Sequence, residues 1–447
     1  MSPFENLARA QAWVFDLQKY GIKFGLSSTL NLLARLGLPF EQGHYLHVAG
    51  TNGKGSVAAM LSAILTRAGY PVGLFTSPHL VRFEERFRLG DRDISAEGLL
   101  DLINQVREAI DETEPPTFFE FAAAMAFLYF HQQEARPVIL ETGMGGRLDA
   151  TNIVTPLVSV ITNISLDHQY FLGDTLGAIA REKAGIIKEG VPLVTHAHQK
   201  RVLSIFRRRC QELQAPMYTG GEDFGTRAAS PGRFSYAGMH GRLENLAINL
   251  SGRHQYRNAA VALAVVELLQ DRGWALPEEA IREGLARVRW PGRLERLTQD
   301  PRVILDGAHN PAAARSLART LKKERLWGRR YLVTGIMADK EVHAILGSLL
   351  PLAHTVIFTR PRYFRAARPE DLARQAAPYG LEVLVEPEVS QAVRRAQTLA
   401  GPQDQIVITG SLYTVGEALE YFEQVEKEEL TTPVTPPTFQ EPPTKII

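Results

Sequence analysis

The stretch His44–Ser56, with the sequence HYLHVAGTNGKGS, constrains the fold of this chain more than any other. A short run of β-formers leads into a cluster of small residues with one lysine, and residues 57–68 then follow a helical period of 3.6. A strand, a glycine loop and a helix in this order hold phosphate groups, because loop N–H groups converge on an anion and the helix N-terminus adds partial positive charge. The stretch predicts a nucleotide site with Lys54 at the terminal phosphates.

The loop departs from the general phosphate-binding pattern G-x-x-x-x-G-K-[ST] at two positions. Val48 stands where the first glycine is expected, and Gly55 separates Lys54 from Ser56. Taken alone, the stretch therefore also fits a glycine-rich turn with a solvated lysine. Residues elsewhere in the chain have to decide between these two interpretations.

Composition narrows the classes of protein that this chain can represent. At 447 residues it is expected to form two or three domains. Its 50 basic and 49 acidic residues give no electrostatic reason to expect a nucleic acid or an anionic membrane as partner. Cys210, the only cysteine, excludes a disulfide framework and a cysteine zinc site, and we interpret it as an idle thiol. The N-terminus lacks a targeting pattern and the most apolar helical stretch, 121–130, is about half the length that spans a bilayer, so we expect a cytoplasmic protein.

Strand-like and helix-like stretches alternate along the chain. Buried-strand patterns occur at 72–76, 137–142 and 157–164, each followed by turn signals and then by a helical period. This alternation predicts a mostly parallel sheet with helices on both faces.

A β-hairpin is predicted over 234–250. The same rhythm restarts after Trp290–Arg293, a Trp-Pro-Gly-Arg run that breaks the helical pattern and marks a domain boundary. In this second stretch a helix is predicted from Lys340, and the strands at 381–385 and 406–410 follow each other without a predicted helix between them. We therefore predict an α/β protein. Residues 1–292 form a P-loop-type ATPase domain with a mostly parallel sheet, and 293–428 a smaller Rossmann-like α/β domain. The Pro- and Thr-rich residues 429–447 form a disordered tail.

Polar residues follow the ends of several predicted strands. The phosphate loop, Ser77, Glu141 and His168 all come at or just after a strand, and the carboxyl ends of parallel strands meet at one edge of a sheet. Oxygen ligands suit Mg²⁺ bridging nucleotide phosphates, so Ser77 and Glu141 predict a magnesium site. The structural alternatives are a turn cap for Ser77, an ion pair with Arg147 for Glu141, and a satisfied buried histidine for His168.

Several longer runs carry a family resemblance. They are, in this order, VAGTNGKGS, TSPHL, ETGMGGRLDATN, ITNISLDH, LGDTLGAIAREKAGIIK, PGR, LDGAHNP and VITGSLYTVGE. Over essentially the whole chain except the tail, they resemble the folylpolyglutamate synthase/dihydrofolate synthase family, within the Mur ligase superfamily. The resemblance implies a monomeric ligase that uses ATP and two Mg²⁺ ions. A folate or dihydropteroate carboxylate becomes an acyl phosphate, from which the α-amine of L-glutamate displaces phosphate.

The resemblance also implies the roles of individual residues around ATP. Lys54, His168 and Lys183 are the expected catalytic residues; Ser77, Glu141 and His168 match magnesium ligands. Lys183, in EKAG, matches a carbamylated lysine whose added carboxylate helps a second magnesium to bind. The expected ATP contacts are Thr51, Asn52, Gly53, Lys54, Gly55, Ser56, Asn258, Arg293 and Asp306.

The substrate residues implied by the resemblance come from both predicted domains. The pterin side matches Lys23, Phe24, Gly25, Leu26, Thr117, Phe118, Phe119, Glu120, Leu148, Asp149 and Ala150. Lys23 is a base where some members carry an acid. His309 and Ser411 are candidates for holding glutamate, with a structural turn and a helix cap as their respective alternatives. ATP between the two domains would require the Pro291–Arg293 hinge to close them.

Two other functions stay open. A peptidoglycan-precursor ligase shares the ATP core but carries a UDP-binding domain before the phosphate loop, for which roughly 45 residues are too few. A non-catalytic ATP-binding regulator would keep the nucleotide site alone. Glu141, His168 and Lys183 weigh against the regulator, because nucleotide binding does not require the ligands of a second metal.

Overall fold

The strands of the chain build three sheets. This computed structural model describes residues 3–21, 23 and 25–431. In chain order the strands are β1 (Tyr45–Ala49), β2 (Gly73–Phe75), β3 (Phe87–Leu89), β4 (Arg92–Asp93), β5 (Val138–Glu141), β6 (Val158–Ile161), β7 (Leu193–Thr195), β8 (Met217–Thr219), β9 (Gly225–Ser230), β10 (Arg233–Gly238), β11 (Gly241–Ala247), β12 (Arg293–Arg296), β13 (Val303–Asp306), β14 (Arg330–Thr334), β15 (Thr355–Phe358), β16 (Glu382–Val385) and β17 (Gln405–Thr409).

The helices alternate with these strands over most of the chain. In chain order they are α1 (Leu7–Asp16), α2 (Ser27–Arg35), α3 (Lys54–Arg67), α4 (Ala96–Glu108), α5 (Phe118–Gln132), α6 (Gln169–Leu172), α7 (Leu176–Ala184), α8 (Lys200–Glu212), α9 (Arg253–Gln270), α10 (Glu278–Arg287), α11 (Pro311–Leu321), α12 (Val342–Leu349), α13 (Pro369–Ala376), α14 (Val389–Leu399) and α15 (Leu412–Thr431). None of these helices has the length and hydropathy to cross a bilayer, in the part of the chain that is described.

The predicted fold class is confirmed. An eight-stranded sheet has the order β4-β3-β2-β5-β1-β6-β7-β8, and β2, β5, β1, β6, β7 and β8 are parallel. A six-stranded sheet, β12-β13-β17-β14-β15-β16, is parallel except at its β12 edge. We refer to the described residues up to 292 as the N-terminal part and to 293–431 as the C-terminal part. The division into domains at 292/293 stays a prediction.

Alternate side chains of the central strands enter two different cores. Leu46 and Val48 of β1 face α3 and α9, whereas Tyr45 faces the helices that include α4 and α5. A parallel sheet covered on both faces needs such strands of continuous apolar residues, and β1, β5 and β6 are buried throughout. Because both faces are covered by helices, the open space lies at the carboxyl ends of the strands.

Several details differ from the sequence-based prediction. Helix α12 begins at Val342 rather than at Lys340, and α14 lies between the last two strands where no helix was predicted. The predicted hairpin over 234–250 is present as β10 and β11, and β9 extends it to a three-stranded antiparallel sheet. Helix α15 continues to Thr431, past the predicted start of the tail at 429, and 432–447 lie outside the described residues.

Glu267 of α9 is a buried carboxylate that joins this three-stranded sheet to the main core. It accepts hydrogen bonds from Tyr236 Oη (2.7 Å), from the Met239 N–H (3.1 Å) and from the His240 N–H (3.1 Å). Its side chain is a single acceptor for three donors, two of them backbone groups at the β10–β11 turn.

We expect Glu267→Ala to destabilise the protein by roughly 3 kcal/mol, because buried donors without an acceptor cost about 1–3 kcal/mol each. Urea unfolding followed by circular dichroism measures the change. Glu279→Ala, at an exposed position of α10, is the matched control and should leave the midpoint unchanged. Equal midpoints for the two variants would contradict the assigned role of Glu267.

Candidate active site

One large cavity collects nearly all residues that the sequence singled out. It has a volume of about 1190 Å³ and lies at the carboxyl ends of β1, β2, β5 and β6, with the C-terminal part forming its opposite wall. Of the predicted site residues, Leu26 does not line it, and Phe24 lies outside the described residues. All the others do: 23, 25, 51–56, 77, 117–120, 141, 148–150, 168, 183, 258, 293, 306, 309 and 411.

The phosphate loop has the backbone shape that its glycines predict. Gly53 has a φ of 86° and directly precedes α3, whose first residue is Lys54. A Cβ on Gly55 would lie 2.7 Å from Trp290 Nε1, so the glycine that departs from the general pattern is required by close packing. The first N–H groups of α3 have no partners within the helix and point with its positive end toward the cavity.

Hydrogen bonds from the backbone and side chains of the loop connect it to the segment that follows β6. Thr51 Oγ1 lies 3.0 Å from the Ser165 N–H, and the Asn52 N–H donates to Asn163 Oδ1 over 3.2 Å. Thr162 Oγ1 donates to the Asn52 carbonyl over 2.7 Å. These contacts fix the loop from one side, and the cavity occupies the other.

Glu141 lies at the end of β5 opposite the phosphate loop. Its carboxylate is 3.9 Å from Lys54 Nζ and accepts a hydrogen bond of 3.3 Å from the Ser77 N–H. Burial raises the pKa of Glu141, while Lys54 and the Ser77 N–H oppose that rise. Arg147 pairs with Glu182 instead, so the predicted alternative of a Glu141–Arg147 pair is wrong.

The residues at this edge fit a hard cation. Glu141 is 5% exposed and the hydrogen bond from Ser77 leaves most of its acceptor capacity open toward the cavity. Burial lowers the pKa of His168 to about 3, so its imidazole is neutral and able to ligate at neutral pH. The described residues contain no cluster of three or more His, Cys, Asp or Glu side chains placed to hold a metal.

Lys183 points into the cavity from α7. Its side chain is buried, and Nζ lies 3.5 Å from the Gly145 carbonyl. Burial, with a contribution from nearby Lys54, lowers the pKa of Lys183 to about 7. A substantial neutral fraction near pH 7 makes this amine a nucleophile, which a solvated lysine is not.

The C-terminal part closes the cavity above the phosphate loop. Asp306, at the end of β13, accepts hydrogen bonds of 3.0 Å from the Leu294 and Ala308 N–H groups. Burial raises the pKa of Asp306 to about 6, and Arg293 opposes the rise. Asn258 reaches the loop through Gln255, whose side chain lies 3.3 Å from Ser56 Oγ. The three predicted nucleotide residues beyond the loop thus surround its open side.

Comparison with known proteins agrees with this geometry. Residues 48–266 match the family model of the Mur ligase middle domain, and 292–412 match that of the Mur ligase glutamate ligase domain. The chain is 38% identical to the dihydrofolate synthase/folylpolyglutamate synthase of Bacillus subtilis, over 91% of this chain and 97% of that protein. The Escherichia coli enzyme of the same name is 34% identical, over 93% and 95% of the two chains.

The chain belongs to the dihydrofolate synthase/folylpolyglutamate synthase family of Mur ligases.

Solved structures of family members share the whole fold. Escherichia coli FolC in complex with DHPP and ADP superposes with a TM-score of 0.86 at 33% identity, covering 93% of this chain and 98% of that one. Mycobacterium tuberculosis folylpolyglutamate synthase complexed with ADP and AMPPCP gives a TM-score of 0.87 at 33% identity, covering 93% and 99%. The recognition made from the sequence runs is therefore confirmed.

At the end of the cavity where this family resemblance places the pterin, several polar side chains already have structural partners. Thr117 and Glu120 form a capping box at the start of α5, with 2.7 Å between the Thr117 N–H and Glu120 Oε2. Asp149 accepts hydrogen bonds from Thr151 Oγ1 (2.5 Å) and from the Met144 N–H (2.9 Å). Lys23 Nζ donates to the Pro115 carbonyl over 2.5 Å. These residues first shape the pocket, and their roles in substrate binding stay predictions.

Arg86 is a cavity residue that sequence reasoning missed. It is 5% exposed, donates through Nε to His79 Nδ1 over 2.8 Å, and lies above the Phe118 ring with 5.1 Å from Cζ to the ring centroid. No carboxylate in the described part of the chain lies within ion-pair distance of it. The sequence showed only one arginine among several in RFEERFRL.

The two candidates for the glutamate site occupy the facing wall. His309 Nδ1 lies 2.8 Å from the Gly307 carbonyl, and its Nε2 lies 3.4 Å from Asp167 Oδ2. Ser411 Oγ accepts the Thr414 N–H over 3.0 Å, which is the geometry of the helix cap named as its alternative. Asp167 and Lys340, which contact each other at 2.5 Å, were not predicted at all.

Proposed function

We propose that this ATP-dependent ligase joins L-glutamate to a folate, and that it also accepts dihydropteroate. The observation that carries the proposal is the set of residues that line one cavity. They include the phosphate loop with Lys54, the carboxylate of Glu141, the aromatic side chains of Phe15 and Phe118, and the imidazole of His309. A carboxylate carried on an aromatic ring system would thus meet both ATP and an incoming amine.

The reaction has two steps. A carboxylate oxygen of the pterin-linked substrate attacks the γ-phosphorus of ATP, the bond to the β-phosphate oxygen breaks, and ADP and an acyl phosphate form. The α-amine of glutamate then attacks the acyl carbon. The bond between that carbon and the phosphate oxygen breaks, phosphate leaves with its electron pair, and the nitrogen loses a proton to solvent. Positioning and charge neutralisation provide most of the catalysis in such phosphoryl transfer.

The residues of the chain have separate tasks in this proposal. Lys54 and the N-terminus of α3 hold the terminal phosphates, and Arg293 and Asp306 hold the nucleotide from the C-terminal part. Ser77, Glu141 and His168 would hold Mg²⁺, which neutralises phosphate charge when bound. Lys183, as a carbamate, would supply a carboxylate to a second ion. Closure of the two parts keeps water away from the acyl phosphate.

The proposal includes three finer statements. L-Glutamate is the amino acid, as the family resemblance implies, and His309 and Ser411 are the candidates for holding it because both line the cavity. The enzyme acts as a monomer, as the family resemblance implies. The enzyme is located in the cytoplasm, where ATP is supplied.

The deciding experiment is ADP release with glutamate and one of three acceptors: dihydropteroate, tetrahydrofolate and a UDP-muramoyl peptide. We expect turnover with tetrahydrofolate and dihydropteroate and none with the muramoyl peptide. Turnover with the muramoyl peptide alone would replace the proposal by a peptidoglycan-precursor ligase. ATP binding without turnover on any acceptor would favour a non-catalytic regulator.

A further inference from the structure

Asp167 is one of the residues through which the two parts of the chain contact each other inside the cavity. It lies in the segment between β6 and α6, and its side chain is buried. Its Oδ1 accepts Lys340 Nζ at 2.5 Å, and its Oδ2 accepts Asn310 Nδ2 at 3.0 Å. His309 Nε2 is a third neighbour, 3.4 Å from Oδ2. All three partners belong to the C-terminal part, so one carboxylate of the N-terminal part receives three groups from across the cavity.

The same carboxylate also contacts the backbone of its neighbour His168. Oδ1 accepts the His168 N–H at 2.9 Å. His168 has φ 50° and ψ 39°, a left-handed conformation that costs about 1–2 kcal/mol for a residue with a Cβ. Such a conformation persists when the surrounding contacts determine it, and the hydrogen bond to Asp167 is one of those contacts.

Asn310 extends the connection to the phosphate loop. Its side-chain amide donates to Asn52 Oδ1 over 2.9 Å and accepts from Asn52 Nδ2 over 3.3 Å. The Asn310 amide that donates to Asp167 therefore also donates to Asn52 in the loop beside Lys54. The cap that Asn310 Oδ1 provides for the Ala313 N–H (2.9 Å) fixes this amide to the start of α11.

These contacts make Asp167 sensitive to the position of the C-terminal part. With that part in place, the buried carboxylate is paired with the Lys340 ammonium and accepts a hydrogen bond from the Asn310 amide. With that part moved away, it keeps only the His168 N–H among these contacts and has to be hydrated, because an unpaired buried charge is strongly unfavourable. A carboxylate that changes partners in this way also changes the hydrogen bond that shapes His168.

We propose that Asp167 is a positioning residue that couples the closed position of the C-terminal part to the orientation of His168. Metal binding at the Glu141 edge is then completed when the two parts close over the nucleotide. The inference rests on the proposed function only in taking His168 as a metal ligand, and it names Asp167, rather than the Pro291–Arg293 hinge, as the residue that senses closure.

The first test measures Mn²⁺ binding in the presence of ADP by electron paramagnetic resonance, which does not depend on turnover. We expect Asp167→Asn to weaken Mn²⁺ binding by about tenfold or more, the usual effect of losing a residue that orients a metal ligand. Lys340→Met, which leaves Asp167 intact, should weaken it in the same direction. The control is Glu341→Ala, which removes a 2.6 Å contact with Gln169 between the two parts without touching Asp167.

The second test measures closure itself. Spin labels at Glu189→Cys and Gln375→Cys, one exposed position in each part, report the distance between the parts, and the native Cys210 is buried. With ADP and Mg²⁺ we expect a narrow distance distribution for the otherwise unchanged chain and for Glu341→Ala, and a broad one for Asp167→Asn and Lys340→Met. Rescue of the narrow distribution by a saturating concentration of Mg²⁺ would support coupling in both directions.

The outcomes separate the inference from the proposed function. Unchanged Mn²⁺ binding in Lys340→Met, or equal weakening in Glu341→Ala, would overturn the coupling. If Asp167→Asn does not fold, the result with Lys340→Met decides. A chain that binds Mn²⁺ with ADP in the expected way but joins glutamate to no acceptor would overturn the proposed function and leave the coupling intact.

Discussion

Lys54→Ala is expected to abolish ATP-dependent phosphate release. Lys54 is the first residue of α3, its side chain faces the cavity, and Nζ lies 3.9 Å from Glu141. In the proposed function Lys54 contacts the terminal phosphates of ATP, where it would stabilise the charge that develops during phosphoryl transfer without reorganisation. Loss of one such preorganised group lowers kcat by at least about a hundredfold. Release of ADP and phosphate in the presence of acceptor and glutamate measures the effect.

The control has to separate this electrostatic role from folding. Lys322→Ala removes an exposed lysine after α11 and should leave phosphate release unchanged. Because Glu141 loses its neighbouring cation in Lys54→Ala, the thermal midpoint of that variant should be measured as well. A folded Lys54→Ala protein with unimpaired phosphate release would refute the ligase mechanism proposed for this cavity.

The sequence predicted the site residues best where polar side chains follow the carboxyl ends of strands. β1, β2, β5 and β6 are short, buried and parallel, so the groups at their carboxyl ends meet by geometry alone. Ser77 and Glu141 are 64 residues apart in the chain and in hydrogen-bond contact in the fold. The structure also explains why position 55 is a glycine, since Trp290 packs where a Cβ on this residue would lie.

Contacts between the two parts of the chain could not be predicted in this way. Asp167 and Lys340 are 173 residues apart, and nothing in either local pattern distinguishes them from solvated charges. Arg86 likewise gives no signal, because its burial comes from the aromatic side chains that fold around it. Such contacts depend on tertiary packing rather than on periodicity. Helix α14 is a different case, because its buried residues Val389, Ala392, Val393 and Ala396 follow the i, i+3, i+4, i+7 spacing of an amphipathic helix, and the sequence did contain a signal for it.

Lys183→Ala is the second substitution with a large expected effect. The amine of Lys183 is buried in the cavity wall and its pKa is lowered to about 7, so its neutral form is able to add CO₂. A carbamate there would convert a buried cation near Lys54 into an anion, which Lys54 would attract and which would supply an oxygen ligand for a second Mg²⁺. We expect kcat to fall by about a hundredfold or more, as for other preorganised charges in active sites. ADP release under saturating substrates is the measurement.

Rescue distinguishes a carbamate from a plain lysine. Acetate or formate could occupy the space left by Lys183→Ala and supply the missing carboxylate, so activity should return in part and in proportion to the added acid. Lys188→Ala is the control, since Lys188 donates to the Asn152 carbonyl over 3.0 Å and does not line the cavity. Its activity should not respond to either acid. Incorporation of ¹³CO₂ into the protein, seen as a carbamate signal that disappears in Lys183→Ala, would give the same answer without turnover. A variant that no short carboxylic acid restores, together with the absence of that signal, would leave Lys183 as an unmodified lysine and would leave Lys54 and a single ion to neutralise the phosphate charge.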